Sequence, residues 1–360
     1  MIRVLVAEDS PTAREYLIRI LASDPGIEIV GEARDGVEAA ACAAKLRPDL
    51  IAMDLHMPNM DGLEATREIM NTTPTPIVIV TASTRGGDVE RSMELLGAGA
   101  LEVMMKPPSP GSPDFDAAAK RLIATVKSMA QVKVVRHRRP APEGDLQAFV
   151  QAIVQPIDRS RKTADATTNR AAIVAIAAST GGPAALHFLL ANLPGDFAPP
   201  ILVVQHITEG FSAGLASWLD SASSFRVKLA EHEEKLAPQT VYLAPDARHL
   251  GVGSRGAIVL ADEPLIEGFR PSATYLFNSV GKAFGDTAIA VILTGMGDDG
   301  VQGLRTIHRL GGRVIAQDEK TSIVFGMPGA AIAAGLADFI LPIDAIPSRL
   351  AELQNSIAKS

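Results

Sequence analysis

Apolar and polar positions alternate along this chain in two registers. Short apolar runs rich in valine, isoleucine and alanine are separated by longer stretches whose apolar residues fall at helical spacing. In the first part, runs at 2–7, 28–33, 50–54, 76–81 and 101–104 read as strands, and segments near 11–22, 37–46, 63–71, 88–96 and 116–126 read as helices. Repeated strand then helix predicts a parallel, doubly wound sheet. The alternation resumes at Arg170. Strands are predicted at 173–177, 201–205, 240–243, 288–293, 314–316 and 339–341, and helices near 183–190, 212–220, 272–283, 301–309 and 330–335. Residues 250–261 read as a hairpin. Between the two parts the pattern is lost. V-K-V-V-R-H-R-R-P-A-P-E-G-D is basic and then broken by proline and glycine, 147–154 could form a short helix, and D-R-S-R-K-T-A-D-A-T-T-N-R is polar throughout. That composition suits a linker. The expected organisation is therefore two α/β domains, 1–126 and 170–356, joined by residues 127–169.

Composition narrows the class. A length of 360 residues favours two cores over one, and the net charge of −7 argues against a nucleic-acid-binding output. The basic cluster around His137 reads as solvated linker and not as a nucleic-acid patch. The single cysteine, Cys42, excludes a disulfide within the chain. The N-terminal stretch M-I-R-V-L-V-A-E-D-S turns acidic too soon for a signal peptide, and no apolar run is long enough to span a bilayer. A cytoplasmic protein without membrane insertion is expected.

Polar residues of special chemistry collect where strands end. In the first domain Glu8 and Asp9 follow the first strand, Asp54 closes the third, Thr81 closes the fourth and Lys106 follows the fifth. C-terminal strand ends share one sheet edge, so these residues can converge. Three carboxylates in one site repel unless a cation joins them, and a hard divalent ion such as Mg²⁺ suits oxygen ligands. Taken singly, such acids could be helix caps, since Asp9 and Asp61 each precede a helix. Cap duty does not account for Lys106-Pro107 or for M-D-L-H-M-P-N-M-D-G around Asp54. Together these residues resemble the receiver domain of bacterial two-component response regulators, a flavodoxin-like fold. The resemblance implies that Asp54 accepts a phosphoryl group from a histidine kinase. It also implies that Glu8, Asp9, Asp54 and the His56 carbonyl hold Mg²⁺, that Lys106 contacts the phosphoryl oxygens, and that Thr81 senses the modified state. Val103 stands where receivers commonly carry an aromatic switch, and Glu8 replaces a more usual aspartate.

In the second domain, A-I-V-A-I-A-A-S-T-G-G-P places Ser179 at the end of a buried strand and before a tight turn into a helix. A serine nucleophile needs a base and the base needs an orienting partner. His206, directly after I-L-V-V-Q, lies at the same edge, and His249 is the reserve. Asp298 and Asp299 lie in the turn T-G-M-G-D-D-G after another strand. A phosphate or metal loop is the competing reading of that turn, though it lacks the spacing of known phosphate motifs. Ser-Thr-Gly-Gly at 179–182, V-V-Q-H-I-T-E-G-F, V-Y-L-A-P-D-A-R-H-L, L-T-G-M-G-D-D-G and I-A-Q-D-E-K-T-S-I-V-F-G-M-P occur in that order. They resemble the catalytic domain of the chemotaxis protein-glutamate methylesterases, whose architecture carries a receiver in front of a Rossmann-like α/β/α hydrolase domain. The resemblance implies that Ser179 attacks a γ-glutamyl methyl ester on a chemoreceptor and releases methanol. His206 would serve as base and then acid, Asp299 would orient it, and amides near Thr180 and Met296 would bind the oxyanion. Deamidation of receptor glutamines is implied too, with no cofactor for the hydrolysis. By the same resemblance the unmodified receiver covers the catalytic face. Thr274 stands where the family usually has an aspartate, which points to an altered contact near the cleft with partner or substrate. The alternative is a non-enzymatic response regulator whose second domain only binds a partner protein.

Overall fold

The structure is a computed structural model that describes residues 1–82, 86–132, 172–253 and 255–355. Of the linker expected at 127–169, residues 133–169, with the helix at 147–154 and His137, lie outside the described residues. Among those described, no helix is long and apolar enough to cross a membrane.

The first unit runs β1 (Ile2–Ala7), α1 (Pro11–Ala22), β2 (Ile27–Ala33), α2 (Gly36–Leu46), β3 (Leu50–Met53), α3 (Gly62–Thr72), β4 (Ile77–Thr81), α4 (Gly86–Gly97), β5 (Glu102–Met105) and α5 (Phe115–Met129). Its sheet has the order β2-β1-β3-β4-β5 and every neighbouring pair is parallel. β3 and β4 are buried at every position, as a strand covered on both faces must be. The order reverses between β1 and β3, so a crevice opens at their carboxyl ends.

The second unit runs β6 (Ile173–Ala178), α6 (Gly182–Asn192), β7 (Ile201–Gln205), α7 (Ser212–Ala222), β8 (Arg226–Leu229), β9 (Thr240–Leu243), β10 (His249–Val252), β11 (Ile258–Ala261), α8 (Ala273–Phe284), β12 (Ala288–Ile292), α9 (Val301–Arg309), β13 (Arg313–Gln317), α10 (Met327–Ala333), β14 (Phe339–Leu341) and α11 (Ile346–Asn355). Seven parallel strands lie in the order β14-β13-β12-β6-β7-β9-β8, and β10 and β11 form a separate antiparallel hairpin. Here the order reverses at β6, which has β12 on one side and β7 on the other. The doubly wound fold expected for both units is observed.

Three elements depart from expectation. β8 alternates Arg226 and Lys228 with Val227 and Leu229, and Lys228 pairs with Glu231 at 2.7 Å and Glu234 at 3.0 Å. A short charged edge strand looks like a loop in sequence. α11 was not anticipated because it opens on Ile346-Pro347, yet it buries Ile346 and Leu350 fully. α5 extends to Met129, past residue 126.

The two units touch. α4 packs against α6 and α7. One continuous apolar cluster joins Met93, Leu96 and Val103 of the first unit to Phe211, Leu215 and Leu219 of the second. Ile323 and Val324 pack against the other side of the first unit's core.

Candidate functional site

Two sites form at the two points where strand order reverses. In the first unit, ligand oxygens of Glu8, Asp9 and Asp54 lie within 4.8 Å of one another. Lys106 Nζ sits 2.7 Å from Glu8 Oε2 and 2.9 Å from Asp54 Oδ2. The Leu55 amide donates to Asp54 Oδ1 at 2.8 Å. Lys106 is placed by its own amide, which donates to the Thr81 carbonyl at 2.8 Å and so ties the end of β5 to the end of β4. Ser10, not Asp9, caps α1 by accepting from the Ala13 amide, and Asp61 caps α3. Asp9 is therefore not the helix cap. Burial, with Asp54 nearby, pushes the Glu8 carboxyl above its ordinary range despite Lys106. Burial opposes the charge on Lys106 as well, but its bonds to Glu8 and Asp54 win and hold it above its usual value. Among the described residues, Lys106 thus pairs with two of the three carboxylates, Glu8 and Asp54. An all-oxygen donor set that lacks positive charge fits Mg²⁺.

In the second unit, backbone bonds carry the sheet one residue past its strands. The Ser179 amide donates to the Thr294 carbonyl at 3.1 Å, and the His206 amide donates to Ala178 at 2.9 Å. Ser179 is thereby set between the β12 and β7 edges. Gly295 closes in from the β12 side, where a Cβ would come within 2.8 Å of Ser179 Cβ. Gly181 adopts φ 75° at the head of α6, packed under Ile323. Gln205, 4% exposed, donates through Nε2 to the carbonyls of Ser179 at 2.6 Å and His206 at 2.9 Å. It ties the serine turn to the histidine strand.

The structure brings His206 and Asp299 together: Nε2 lies 2.9 Å from Asp299 Oδ2. His206 Nδ1 is buried and without a partner among the described residues, Ser179 Oγ included. Phe269 stacks on the imidazole with centroids 4.1 Å apart and planes 9° from parallel. Of the two aspartates, Asp298 is exposed and Asp299 is 1% exposed. Asp299 also accepts from Ser272 Oγ at 2.9 Å and from the amides of Ala273 at 2.7 Å and Thr274 at 3.0 Å. These are the open donors of the first turn of α8, where an anion is stabilised. Burial raises the Asp299 carboxyl, but the bonds from His206, Thr274 and Ala273 outweigh it and hold it below the usual carboxylate range.

Among the described residues, no backbone carbonyl engages the Thr180 or Met296 amide; Thr180 follows Ser179 directly, and Met296 follows Gly295, which lies against Ser179. Thr274 is 6% exposed and faces inward: its hydroxyl accepts from the Gly300 amide at 2.9 Å, so it supports the aspartate turn. Val103 lies in the apolar cluster shared by both units, and its carbonyl accepts from Thr208 Oγ1 at 3.5 Å. His249, the reserve base, is fully buried and bonded elsewhere. Gln205, Ser272 and Phe269 were not foreseen. Only Ser272 left a signal, as a helix-start serine.

A parallel α/β hydrolase domain behind a phosphoacceptor-type receiver is the class that fold and sites define. Residues 174–350 match the CheB methylesterase family and residues 4–112 the response regulator receiver domain. The chain is 51% identical to protein-glutamate methylesterase/protein-glutamine glutaminase 4 of Myxococcus xanthus, over 97% of this chain and 96% of that one. It is 50% identical to protein-glutamate methylesterase/protein-glutamine glutaminase 3 of Anaeromyxobacter dehalogenans, over 98% of both. The crystal structure of the Thermotoga maritima CheB methylesterase catalytic domain superposes with a TM-score of 0.50 at 42% identity, covering 51% of this chain and 100% of that one. The chain belongs to the CheB methylesterase family and is a hydrolase of the methylesterase/glutaminase type with a receiver domain.

Proposed function

We propose that this protein removes methyl groups from γ-glutamyl methyl esters of chemoreceptors, and deamidates receptor glutamines, through Ser179, His206 and Asp299. The observation that carries this reading is the His206–Asp299 pair beside Ser179, with His206 Nδ1 buried and uncommitted. His206 Nδ1 takes the Ser179 hydroxyl proton as Oγ bonds to the γ-carbonyl carbon. The resulting oxyanion is met by the amides of Thr180 and Met296. The intermediate collapses, the bond to the methoxy oxygen breaks, and His206 returns the proton to release methanol. Water, deprotonated by His206, then attacks the acyl carbon; the bond to Ser179 Oγ breaks, His206 returns the proton to Oγ, and a glutamate side chain is left. For glutamine the same steps release ammonia. Asp299 keeps His206 in the tautomer with a proton on Nε2 and stabilises the imidazolium, without itself taking the proton. No cofactor enters this reaction.

Residues 1–126 are read as the receiver, 127–169 as the connection and 170–356 as the catalytic domain. Asp54 accepts a phosphoryl group from a histidine kinase. Glu8, Asp9, Asp54 and the His56 carbonyl hold Mg²⁺, which offsets charge on the transferred group when bound. Lys106 neutralises the phosphoryl oxygens and Thr81 reads the modified state. The receiver controls the esterase by covering it. Its α4 lies on α6 and α7, and its core meets Ile323, which itself lies over Gly181. With Val103 in place of an aromatic, the signal passes through Thr81, α4 and this apolar contact, with no ring flip. The test is methanol release from methylated receptor membranes by wild type and Ser179→Ala. Equal release by both would remove Ser179 as the nucleophile.

A further inference from the structure

Residues 262–272 leave the β10–β11 hairpin, cross the active site and enter α8. They touch the proposed triad at two points. Phe269 stacks on His206, and Ser272 donates to Asp299. Ile266 and Phe269 exchange backbone hydrogen bonds of 3.1 and 2.9 Å and close a tight turn at Glu267 (φ 52°) and Gly268 (φ 89°). That turn stands over the catalytic histidine with Leu265 60% exposed at its side. Nothing in such a loop fixes its ring to within the tolerance that proton transfer needs unless its ends are held.

We propose that His249 is a positioning residue of the esterase site: it grips residues 264 and 272, and through them seats Phe269 against His206 and Ser272 against Asp299. His249 is 0% exposed and starts β10, opposite Ala261 at the root of the loop. Buried polar side-chain atoms are as a rule hydrogen-bonded, and His249 bonds through both ring nitrogens. Its Nδ1 accepts from the Ser272 amide at 3.3 Å, and its Nε2 faces the Pro264 carbonyl at 3.1 Å. These partners assign the proton to Nε2, since an amide can only donate and a carbonyl can only accept. The ring also stacks on Tyr275, with centroids 4.9 Å apart. Tyr275 lies in the first turn of α8, and its amide donates to Ser272 Oγ. One ring therefore clamps the loop where it begins, where it ends, and where the helix carrying the aspartate's donors starts. An apolar residue would fill the space but would leave the Ser272 amide and the Pro264 carbonyl without these bonds. The proposal rests on the triad reading above.

The test uses the full chain with a small phosphodonor and Mg²⁺ present throughout. His249→Leu, His249→Asn and Phe269→Leu are compared for kcat, KM and the rate at which a fluorophosphonate captures Ser179, a reaction that needs no receptor. His249→Leu is expected to lower kcat and capture together by about 100-fold, with KM within about twofold. His249→Asn keeps an acceptor where Nδ1 lay and is expected to recover about tenfold of that loss. Phe269→Leu, at a half-buried position in an otherwise largely exposed loop, is expected to slow capture by about tenfold. A folded His249→Leu with wild-type kcat and capture, or with raised KM and unchanged kcat, overturns the proposal. Should His249→Leu not fold, wild-type capture in both other variants overturns it equally. Ser179→Ala run alongside separates the two readings. If it still releases methanol the triad is wrong; if it is inactive while the His249 variants match wild type, only the clamp is wrong.

Discussion

Asp54 and Asp299 are both carboxylates at the reversal point of a parallel sheet, and they are provided for in opposite ways. Asp299 accepts from four donors: His206, Ser272 and the amides of Ala273 and Thr274. Among the described residues, Asp54 is shown with Lys106 and the Leu55 amide, and it shares that lysine with Glu8. The first carboxylate is saturated and held charged, which suits a group that must orient a partner and never react. The second is left short of positive charge, which suits a group that is to receive a metal and a phosphoryl group. The same architecture thus makes a fixed carboxylate or a reactive one, according to how many donors the neighbouring elements supply.

That contrast can be broken at each site. Ser179→Ala is expected to lower methanol release by about 10⁴-fold or more, measured on methylated receptor membranes. Asp299→Asn keeps the shape but loses the charge and the tautomer control, and a drop in kcat of about 10³- to 10⁴-fold is expected. If Asp299→Asn retained activity, saturation by donors would have no catalytic meaning. On the receiver side, chelation of Mg²⁺ should abolish stimulation by a small phosphodonor while hydrolysis by the unstimulated enzyme continues. Loss of both would place the metal in the wrong domain.

A smaller effect is expected on β5 of the receiver. Glu102 lies on β5 next to Val103, and burial, only partly offset by Arg121, pushes its carboxyl up to about 7. A carboxyl raised in the folded state binds more protons than the unfolded chain between its ordinary value and about 7. Stability is therefore expected to fall as pH rises through that window. Glu102→Gln should remove this slope and stabilise the protein at pH 8 by on the order of 1 kcal/mol, since the partly solvated carboxyl is screened. Thermal unfolding of both forms between pH 5 and 8 checks it, and parallel curves would exclude Glu102 as the source.

The strand ends were legible because a buried parallel strand reads as a continuous apolar run that stops where its chemistry begins. This holds for Glu8 after β1, Asp54 after β3, Ser179 after β6 and His206 after β7. What the periodicity could not carry is how loops return to those edges. Asp298 and Asp299 are adjacent and differ only in which one the turn buries. The inward direction of Thr274 follows only from where α8 meets the 297–300 turn. Phe269 and His249 sit in or beside a loop whose path is set by tertiary hydrogen bonds, so no spacing in the sequence pairs them with His206.

The central claim is that charge gained at Asp54 governs access to Ser179. Methanol release from methylated receptor membranes, with and without a small phosphodonor and Mg²⁺, tests it in wild type and Asp54→Asn. Stimulation is expected in wild type and none in Asp54→Asn. Equal stimulation of both would contradict control through Asp54.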